Sequence, residues 1–386
     1  MSFLRTLTAS TRAVLAGGGR SSSKDEGGGG SGGDAPRDAA PLATEGPGAR
    51  LLRLFLTERV IALAVILVLL VATFLVLGAN GFLFAPFDAA YMLSSLQSLV
   101  PLALLALAEM VVIISGYSGI DLSVGAIVSL SGLLFGYLIQ VAGVPVALAA
   151  LVTVVVGALL GAVNGFLVGY MGYPPLIATL ATQYAYASTA LVASGQSPIS
   201  GDRVIATNQS LTANIPVFAN ATLPLQVLTF LVPVAALVWF MLERTVWGRR
   251  LLAVGTNDVA ARYAGQDVRM TRASAYMVSG LLCGIVAVVN VAQFASARPD
   301  AGTAGNGMAL PAITIAALGG VLIQGGFGRV SGVVTGALLI TWLNAALLIS
   351  FEGSMGSRMQ LLALGTVLIG SILINSYAAR RYNLRT

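Results

Sequence analysis

A series of long apolar stretches, separated by short polar segments, constrains this chain more than any other feature. A helix needs about 20 mainly apolar residues to cross a bilayer, and several stretches approach or exceed that length. Hydrophobic residues are 57% of the chain and charged residues 9%, so we predict an all-α polytopic membrane protein. The ten predicted spans are Val60–Ala79, Tyr91–Ile114, Ser123–Val141, Val144–Tyr170, Pro175–Ser194, Leu223–Leu242, Ala273–Gln293, Ala309–Leu322, Ser331–Ile349 and Met359–Tyr377.

The basic residues predict how these spans are oriented. Ten spans place both termini on one side, and if that side is the cytoplasm, 18 of the 21 Lys and Arg residues lie inside. Only Arg203, Arg298 and Arg358 then lie outside, as the preference for positive cytoplasmic loops requires. The net charge of +6 is therefore a topology signal, and we expect no nucleic-acid partner.

The two halves of the chain resemble each other. If spans two to five match spans seven to ten, the shift is an odd number of helices, so the halves have inverted topology. Asn164 and Asn344 then fall late in corresponding spans. Glycines also recur every four residues at 157, 161, 165 and 169, which predicts close helix packing. The Gly116–Gly125 run predicts that the second helix is discontinuous.

The ends of the chain differ in composition. Residues 1–49 are rich in glycine, carry mixed charge and lack apolar periodicity, which predicts a disordered cytoplasmic tail. Residues 50–386 form the transmembrane domain, with Arg50–Arg59 as an interfacial lead-in. The apolar patch at 13–16 is too short for a signal peptide, so we expect the first span to target the chain to the membrane.

A charged stretch, Glu243–Arg272, lies between two long apolar stretches and must be in water. It holds nine of the 36 charged residues. Asn257 or Thr256 can cap a helix that Gly265 ends, which predicts two turns over about Asp258–Ala264. Two turns are unstable alone, so the ends of membrane helices or a partner protein must support them. The alternative is a helix that rests on the bilayer surface.

The longest predicted outer segment is Ser194–Thr222. It is polar and turn-rich, so it either docks an extracytoplasmic partner or simply connects two spans.

Several kinds of chemistry are excluded by residues that the chain lacks. It has no histidine and a single cysteine, Cys283, which removes disulfides and cysteine or histidine metal sites. Its one lysine, Lys24, lies in the tail, and no phosphate-binding Gly-x-x-x-x-Gly-Lys-Ser/Thr motif occurs. We therefore expect neither an enzyme nor an ATP-hydrolysing subunit, and no metal or cofactor bound by this chain.

Two acidic residues, Glu109 and Asp121, lie in or beside predicted spans. A charge at the centre of a span costs about 2.5 to 3.5 kcal/mol on insertion scales, and no span contains a basic residue to offset it. Asp121 is placed to cap the amides of Ser123 or Val124. Glu109 is either protonated or hydrogen-bonded to hydroxyl groups of adjacent helices. Alternatively, both acids carry ions in a secondary transporter.

Six motifs carry a family resemblance. They are Gly119–Gly125, Asn164–Gly165, Pro175–Leu180, Gly248–Arg249 with Ala253–Asn257, Ala260–Gly265, and Leu318–Gly320 with Gly325–Arg329. In this order and spacing, residues 60–377 resemble the permease subunits of bacterial ABC importers for ribose, xylose, galactose and related monosaccharides. The chain departs from the family pattern at Tyr117–Ser118, Ser188–Thr189 and Met308–Leu310, so the resemblance does not identify the sugar.

The resemblance implies a transport subunit of the bacterial inner membrane. Two permease copies would form the pathway, cytoplasmic ATPases would bind ATP and magnesium, and a periplasmic binding protein would deliver a neutral monosaccharide or polyol. The short helix in the charged stretch would be the coupling helix that docks on the ATPase. The ATPase-coupling residues are then Asn257, Asp258, Ala260, Ala261, Arg262 and Gly265. The candidate pathway residues are Glu109, Asp121, Ser123, Asn164, Thr179, Gln183, Asn290 and Asn344.

Overall fold

The computed structural model describes residues 59–218, 221–304 and 307–382. The predicted tail, 1–49, and the lead-in as far as residue 58 lie outside these ranges. In chain order the helices are α1 (Arg59–Ala79), α2 (Ala89–Ile114), α3 (Val124–Gln140), α4 (Val146–Gly165), α5 (Pro175–Ala193), α6 (Asp202–Leu211), α7 (Val232–Arg244), α8 (Val246–Thr256), α9 (Asp258–Tyr263), α10 (Val268–Phe294), α11 (Ala309–Leu318), α12 (Val330–Ser350) and α13 (Met355–Tyr382). Two strands, β1 (Asn214–Phe218) and β2 (Ala221–Pro224), form an antiparallel hairpin.

The helical membrane-protein class is confirmed. Among the described residues, seven helices are long and apolar enough to cross a membrane, and α3 and α11 are apolar but shorter. The number of ten spans and the inverted arrangement of the halves stay predictions.

Helices α2 and α10 form the centre of the bundle. The most apolar part of α2 is 83% buried and that of α10 is 78% buried, whereas the corresponding part of α1 is 11% buried. The bundle therefore buries α2 and α10 inside protein and leaves most of α1 facing outward, where its apolar side chains suit lipid.

The glycines of α4 pack that helix against α10, as the sequence predicted. A Cβ atom on Gly161 would lie 2.8 Å from the Cα atom of Gly280, and one on Gly165 would lie 2.9 Å from the Cα atom of Ala273. These distances are too short for any larger side chain. Small residues here allow the two backbones to touch.

Two irregular segments separate consecutive helices of the bundle. We name residues 115–123, between α2 and α3, the first break, and residues 319–329, between α11 and α12, the second break. The first contains the glycine run that predicted a discontinuous second helix, but α2 is continuous from Ala89 to Ile114, and the irregular segment lies between α2 and α3. The backbone amide of Gly326 donates to the carbonyl of Ile114, the last residue of α2, at 3.0 Å. A Cβ atom on Gly325 would lie 2.5 Å from the Cα atom of Gly116, so the two breaks touch.

The eighth predicted span, Ala309–Leu322, is only partly helical. Helix α11 ends at Leu318, because Gly319 and Gly320 follow and Gly320 has a φ of 87°. Ten residues of α-helix span about 15 Å, half of the bilayer core. The preceding segment covers further depth, since Ala297 packs on Gly136 of α3 and the Gly302 amide donates to Ser129 Oγ at 2.9 Å.

Two polar segments are more ordered than predicted. The charged stretch contains α8 in addition to the predicted helix, because Thr245 Oγ1 caps α8 by accepting from the Gly248 amide at 3.2 Å. The outer segment contains α6 and the β1–β2 hairpin. The predicted span Leu223–Leu242 is therefore wrong at its start, where the backbone of Leu223 pairs with Ile215 in the hairpin. A π-helical turn, Val227–Leu231, then leads into α7.

Candidate transport site

The coupling helix predicted from sequence is α9. Asn257 caps it, since its Oδ1 accepts from the Ala260 amide at 2.9 Å. Gly265 follows its end with a φ of 78°, a conformation that glycine adopts without strain. Both predicted signals are confirmed, and the helix ends at Tyr263, one residue earlier than predicted.

The faces of α9 differ in exposure. Ala261 is 6% exposed and belongs to a small cluster with Val254 of α8 and Val268 of α10. Val259 and Tyr263 point outward, 59% and 91% exposed. The outward face thus carries an aliphatic and an aromatic side chain, and aromatic residues often dominate protein interfaces. Ala261 is among the residues predicted from the sequence, whereas Val259 and Tyr263 are not, although their spacing of four on a helix places them on one face.

The other predicted coupling residues surround this face. Asn257, Ala260, Arg262 and Gly265 are exposed, and Asp258 is half-buried. They remain available to a partner, while Ala261 holds α9 against its own chain.

Five of the eight candidate pathway residues lie together around the first break. Asp121 Oδ1 accepts from the amide of Ser123 at 3.0 Å and from its hydroxyl at 2.6 Å. The side-chain amide of Asn164 donates to Ser123 Oγ at 2.7 Å, and Thr182 Oγ1 donates to Asn164 Oδ1 at 2.7 Å. This chain of bonds joins the break to α4 and α5. Asp121 accepts from the Ser123 amide as predicted, but Ser123 is the N-cap residue of α3, so the bond stabilises the turn before the helix and does not cap the helix.

Glu109 and Thr179 fix the backbone of the same break. The Asp121 amide donates to Glu109 Oε2 at 3.3 Å, and the Leu122 amide donates to Thr179 Oγ1 at 3.2 Å. Glu109, Asp121 and Thr179 are fully buried. These side chains therefore support the break from inside the protein and do not face an open channel.

The other three candidates lie apart from this cluster. Asn290 is buried in α10, and its side-chain amide has no hydrogen-bond partner among the described residues. Gln183 and Asn344 each line a cavity, in different parts of the bundle.

The cavity beside Gln183 lies between the first break, α5 and the segment that leads into α11. Its volume is about 240 Å³. The lining residues are Leu122, Gly125, Gln183, Gly302, Thr303, Gly307, Met308, Ala309 and Leu310. No acidic or basic side chain of the described residues lines it.

The cavity beside Asn344 lies between α2, α12 and α13, with a volume of about 340 Å³. Its lining residues are Tyr91, Ser94, Ser95, Ser98, Leu102, Thr341, Asn344, Ala345, Leu348 and Gln360. Thr341 Oγ1 is buried without a hydrogen-bond partner in the described structure. The lining of this cavity combines hydroxyl and amide groups with apolar side chains, and it includes no acid or base of the described chain.

The sequence matches a known family of transport proteins. The family described as "Branched-chain amino acid transport system / permease component" matches residues 91–375. The chain belongs to this family of transport permeases. The match covers both breaks, both cavities and α9.

Individual relatives give the same result. The chain is 36% identical over 263 residues to the autoinducer 2 import system permease protein LsrD of Yersinia enterocolitica, a match that covers 67% of this chain and 76% of that protein. The corresponding proteins of Yersinia pseudotuberculosis and Yersinia pestis are 35% identical over the same share of each chain. No solved structure matches this sequence.

Membership of the family assigns the chain its general role. It is the transmembrane permease subunit of an ABC importer, a transport component and not an enzyme. It is a multi-pass protein of the inner membrane, and importers of this family work with an ATPase and a periplasmic binding protein. The comparisons give no support to an ion-coupled carrier that uses Glu109 and Asp121.

Proposed function

We propose that this permease conducts a neutral monosaccharide or polyol, delivered by a periplasmic binding protein and driven by cytoplasmic ATPases that dock on α9. The substrate class is supported by the lining of the two cavities, which has no acidic or basic side chain of the described residues and combines apolar side chains with hydroxyl and amide groups. A polyhydroxylated molecule exchanges hydrogen bonds with such groups. A zwitterionic amino acid would lose the hydration of two charges with no opposite charge to replace it, which is costly.

The relatives named above import autoinducer 2, whereas the family description names branched-chain amino acids. The cavity linings favour the uncharged class of substrate. Competition for uptake tests this choice in cells that express the complete transporter. We expect unlabelled D-ribose, D-xylose or D-galactose to reduce uptake of a labelled member of that set, and L-leucine to leave it unchanged. Competition by leucine alone would contradict the proposed substrate class.

The assembly follows from the same role. A second copy of this chain completes the pathway, both termini lie in the cytoplasm, and ATP with magnesium binds in the partner ATPase. The exposed face of α9 supports the docking part of this proposal, because Val259 and Tyr263 are large apolar side chains at the surface of the charged stretch.

A matched pair of valines tests the docking face. Val259 on α9 and Val246 at the start of α8 are 59% and 53% exposed, and both lie in the same charged stretch. We expect Val259→Asp to reduce copurification of the ATPase and ATP-driven uptake by at least about tenfold, since it places a charge in an apolar contact. Val246→Asp serves as the control and should retain both. Equal behaviour of the two variants would show that α9 is not the docking helix.

A further inference from the structure

The junction between α8 and α9 touches both the first break and the second break. A Cβ atom on Gly116 of the first break would lie 2.9 Å from the Cα atom of Gly255, at the end of α8. A Cβ atom on Gly326 of the second break would lie 2.8 Å from the Cα atom of Thr256. Here three backbones come into close contact. Any displacement of the α8–α9 junction therefore acts directly on the backbone of both breaks.

A single arginine adds a side-chain link at the same place. The guanidinium of Arg272, at the start of α10, lies 3.5 Å from the Asp258 carboxylate of α9, measured from Nη2 to Oδ2. Its Cζ lies 4.8 Å from the centre of the Tyr117 ring in the first break. Arg272 is 7% exposed, so both contacts are shielded from water on the arginine side, which strengthens them.

These contacts depend on charge and on the aromatic ring more than on fixed hydrogen bonds. Neither Nε nor Nη2 of Arg272 has a hydrogen-bond partner among the described residues, and the 3.5 Å approach to Asp258 is longer than an ordinary hydrogen bond. Contacts of this kind persist when the side chains move slightly, so a movement of one residue also moves the residue that it contacts. We name Asp258, Arg272 and Tyr117 the arginine clasp.

The segment that the clasp holds is strained. Gly116, Tyr117 and Ser118 have φ values of 77°, 60° and 53°, so three successive residues are left-handed. For Tyr and Ser this conformation costs free energy and must be maintained by the surroundings. When the residues that hold this turn move, its backbone can return to a less strained conformation.

We propose that Arg272 is a positioning residue for coupling, which transmits displacement of α9 to the first break through the arginine clasp. This inference rests on the proposed docking of the ATPase on α9. When the ATPase shifts α9, Asp258 carries Arg272 with it, and Arg272 carries Tyr117. The break that moves also contains Leu122, which lines the 240 Å³ cavity. The clasp thereby connects the cytoplasmic helix to the cavity wall.

Ser118 provides a reporter for this movement, because it is exposed and adjoins Tyr117. The experiment uses the full complex with Ser118→Cys in a Cys283→Ala background, and it measures the labelling rate by a thiol reagent without nucleotide and with ATP, magnesium and vanadate. We expect nucleotide to change the labelling rate by at least about fivefold, the lower end of typical allosteric couplings.

The clasp variants should lose this response. In Arg272→Gln we expect nucleotide to change the labelling rate of the cysteine at position 118 by less than about twofold, because the link between α9 and the first break is lost. The ATPase should stay bound. Arg269→Gln is the matched control, since Arg269 is exposed on the same helix and its loss removes the same charge. Tyr117→Ala removes only an exposed ring and should act like Arg272→Gln, whereas Tyr117→Phe should keep the response.

The outcomes separate this inference from the proposed function. If the reporter responds equally in the Arg272→Gln and Tyr117→Ala complexes, the clasp does not couple, although the docking of α9 stands. If the reporter does not respond even with the clasp intact, the first break does not follow the nucleotide and the inference is overturned. Failure of the proposed docking would appear separately, as retention of the ATPase by Val259→Asp.

Discussion

Replacement of Asp121 tests whether the buried polar cluster is a structural support. In the wild type, Asp121 Oδ1 accepts hydrogen bonds from the amide and the hydroxyl of Ser123, at 3.0 and 2.6 Å. Asp121→Ala removes this oxygen and leaves both donors without a partner. A buried donor left unpaired costs about 1 to 3 kcal/mol, so two donors give a loss of about 2 to 6 kcal/mol in the free energy of unfolding. Asp121→Asn keeps an Oδ1 that can accept both of these hydrogen bonds, so we expect a loss below about 1 kcal/mol.

The assay combines stability with transport. The thermal midpoint of the complex in detergent, read by size-exclusion chromatography, should fall for Asp121→Ala and stay near the wild-type value for Asp121→Asn. Initial uptake, normalised to folded complex, should be largely retained in Asp121→Asn. An asparagine variant that folds normally and transports nothing would refute the argument, because only the charge or the proton of the carboxyl group has then been removed.

Two further predictions concern topology and packing. Cysteines at Arg203 and Gln266, in a Cys283→Ala background, should react with an impermeant thiol reagent from opposite faces of sealed cells; reaction of both from outside would disprove the proposed orientation. Gly161→Ala should destabilise the complex by about 1 to 3 kcal/mol, because the added methyl group overpacks the contact between α4 and α10. Gly370→Ala, where nothing lies within 4 Å, is the control in the same thermal assay, and equal midpoints would contradict the packing argument.

Much of the fold could be predicted because membrane spans follow from hydropathy. The first span was predicted to within one residue, and the glycine spacing of α4 correctly indicated a close contact. Errors occurred where polar residues form regular structure. The hairpin around Leu223 and helix α8 have no apolar run that separates them from a loop, and a local cap at Thr245 fixes the latter.

The candidate site was only partly predictable. Asp121, Ser123 and Asn164 were selected as polar groups in an apolar setting, and the structure joins them by hydrogen bonds. The sequence shows Arg272 only as one charge of a predicted cytoplasmic loop, because its contact with Tyr117 joins residues far apart in the chain. Tyr117 itself was noted only as a departure from the family pattern, and its left-handed backbone carries no sequence signal apart from the glycines around it.

Reconstituted uptake tests the central claim most directly. The purified permease is placed in liposomes with its ATPase, with ATP and magnesium inside and the binding protein with labelled sugar outside. We predict uptake that requires ATP, the ATPase and the binding protein together, and that continues when ionophores collapse the proton and sodium gradients. Uptake by the permease alone, driven by an imposed ion gradient and unaffected by ATP, would contradict the account.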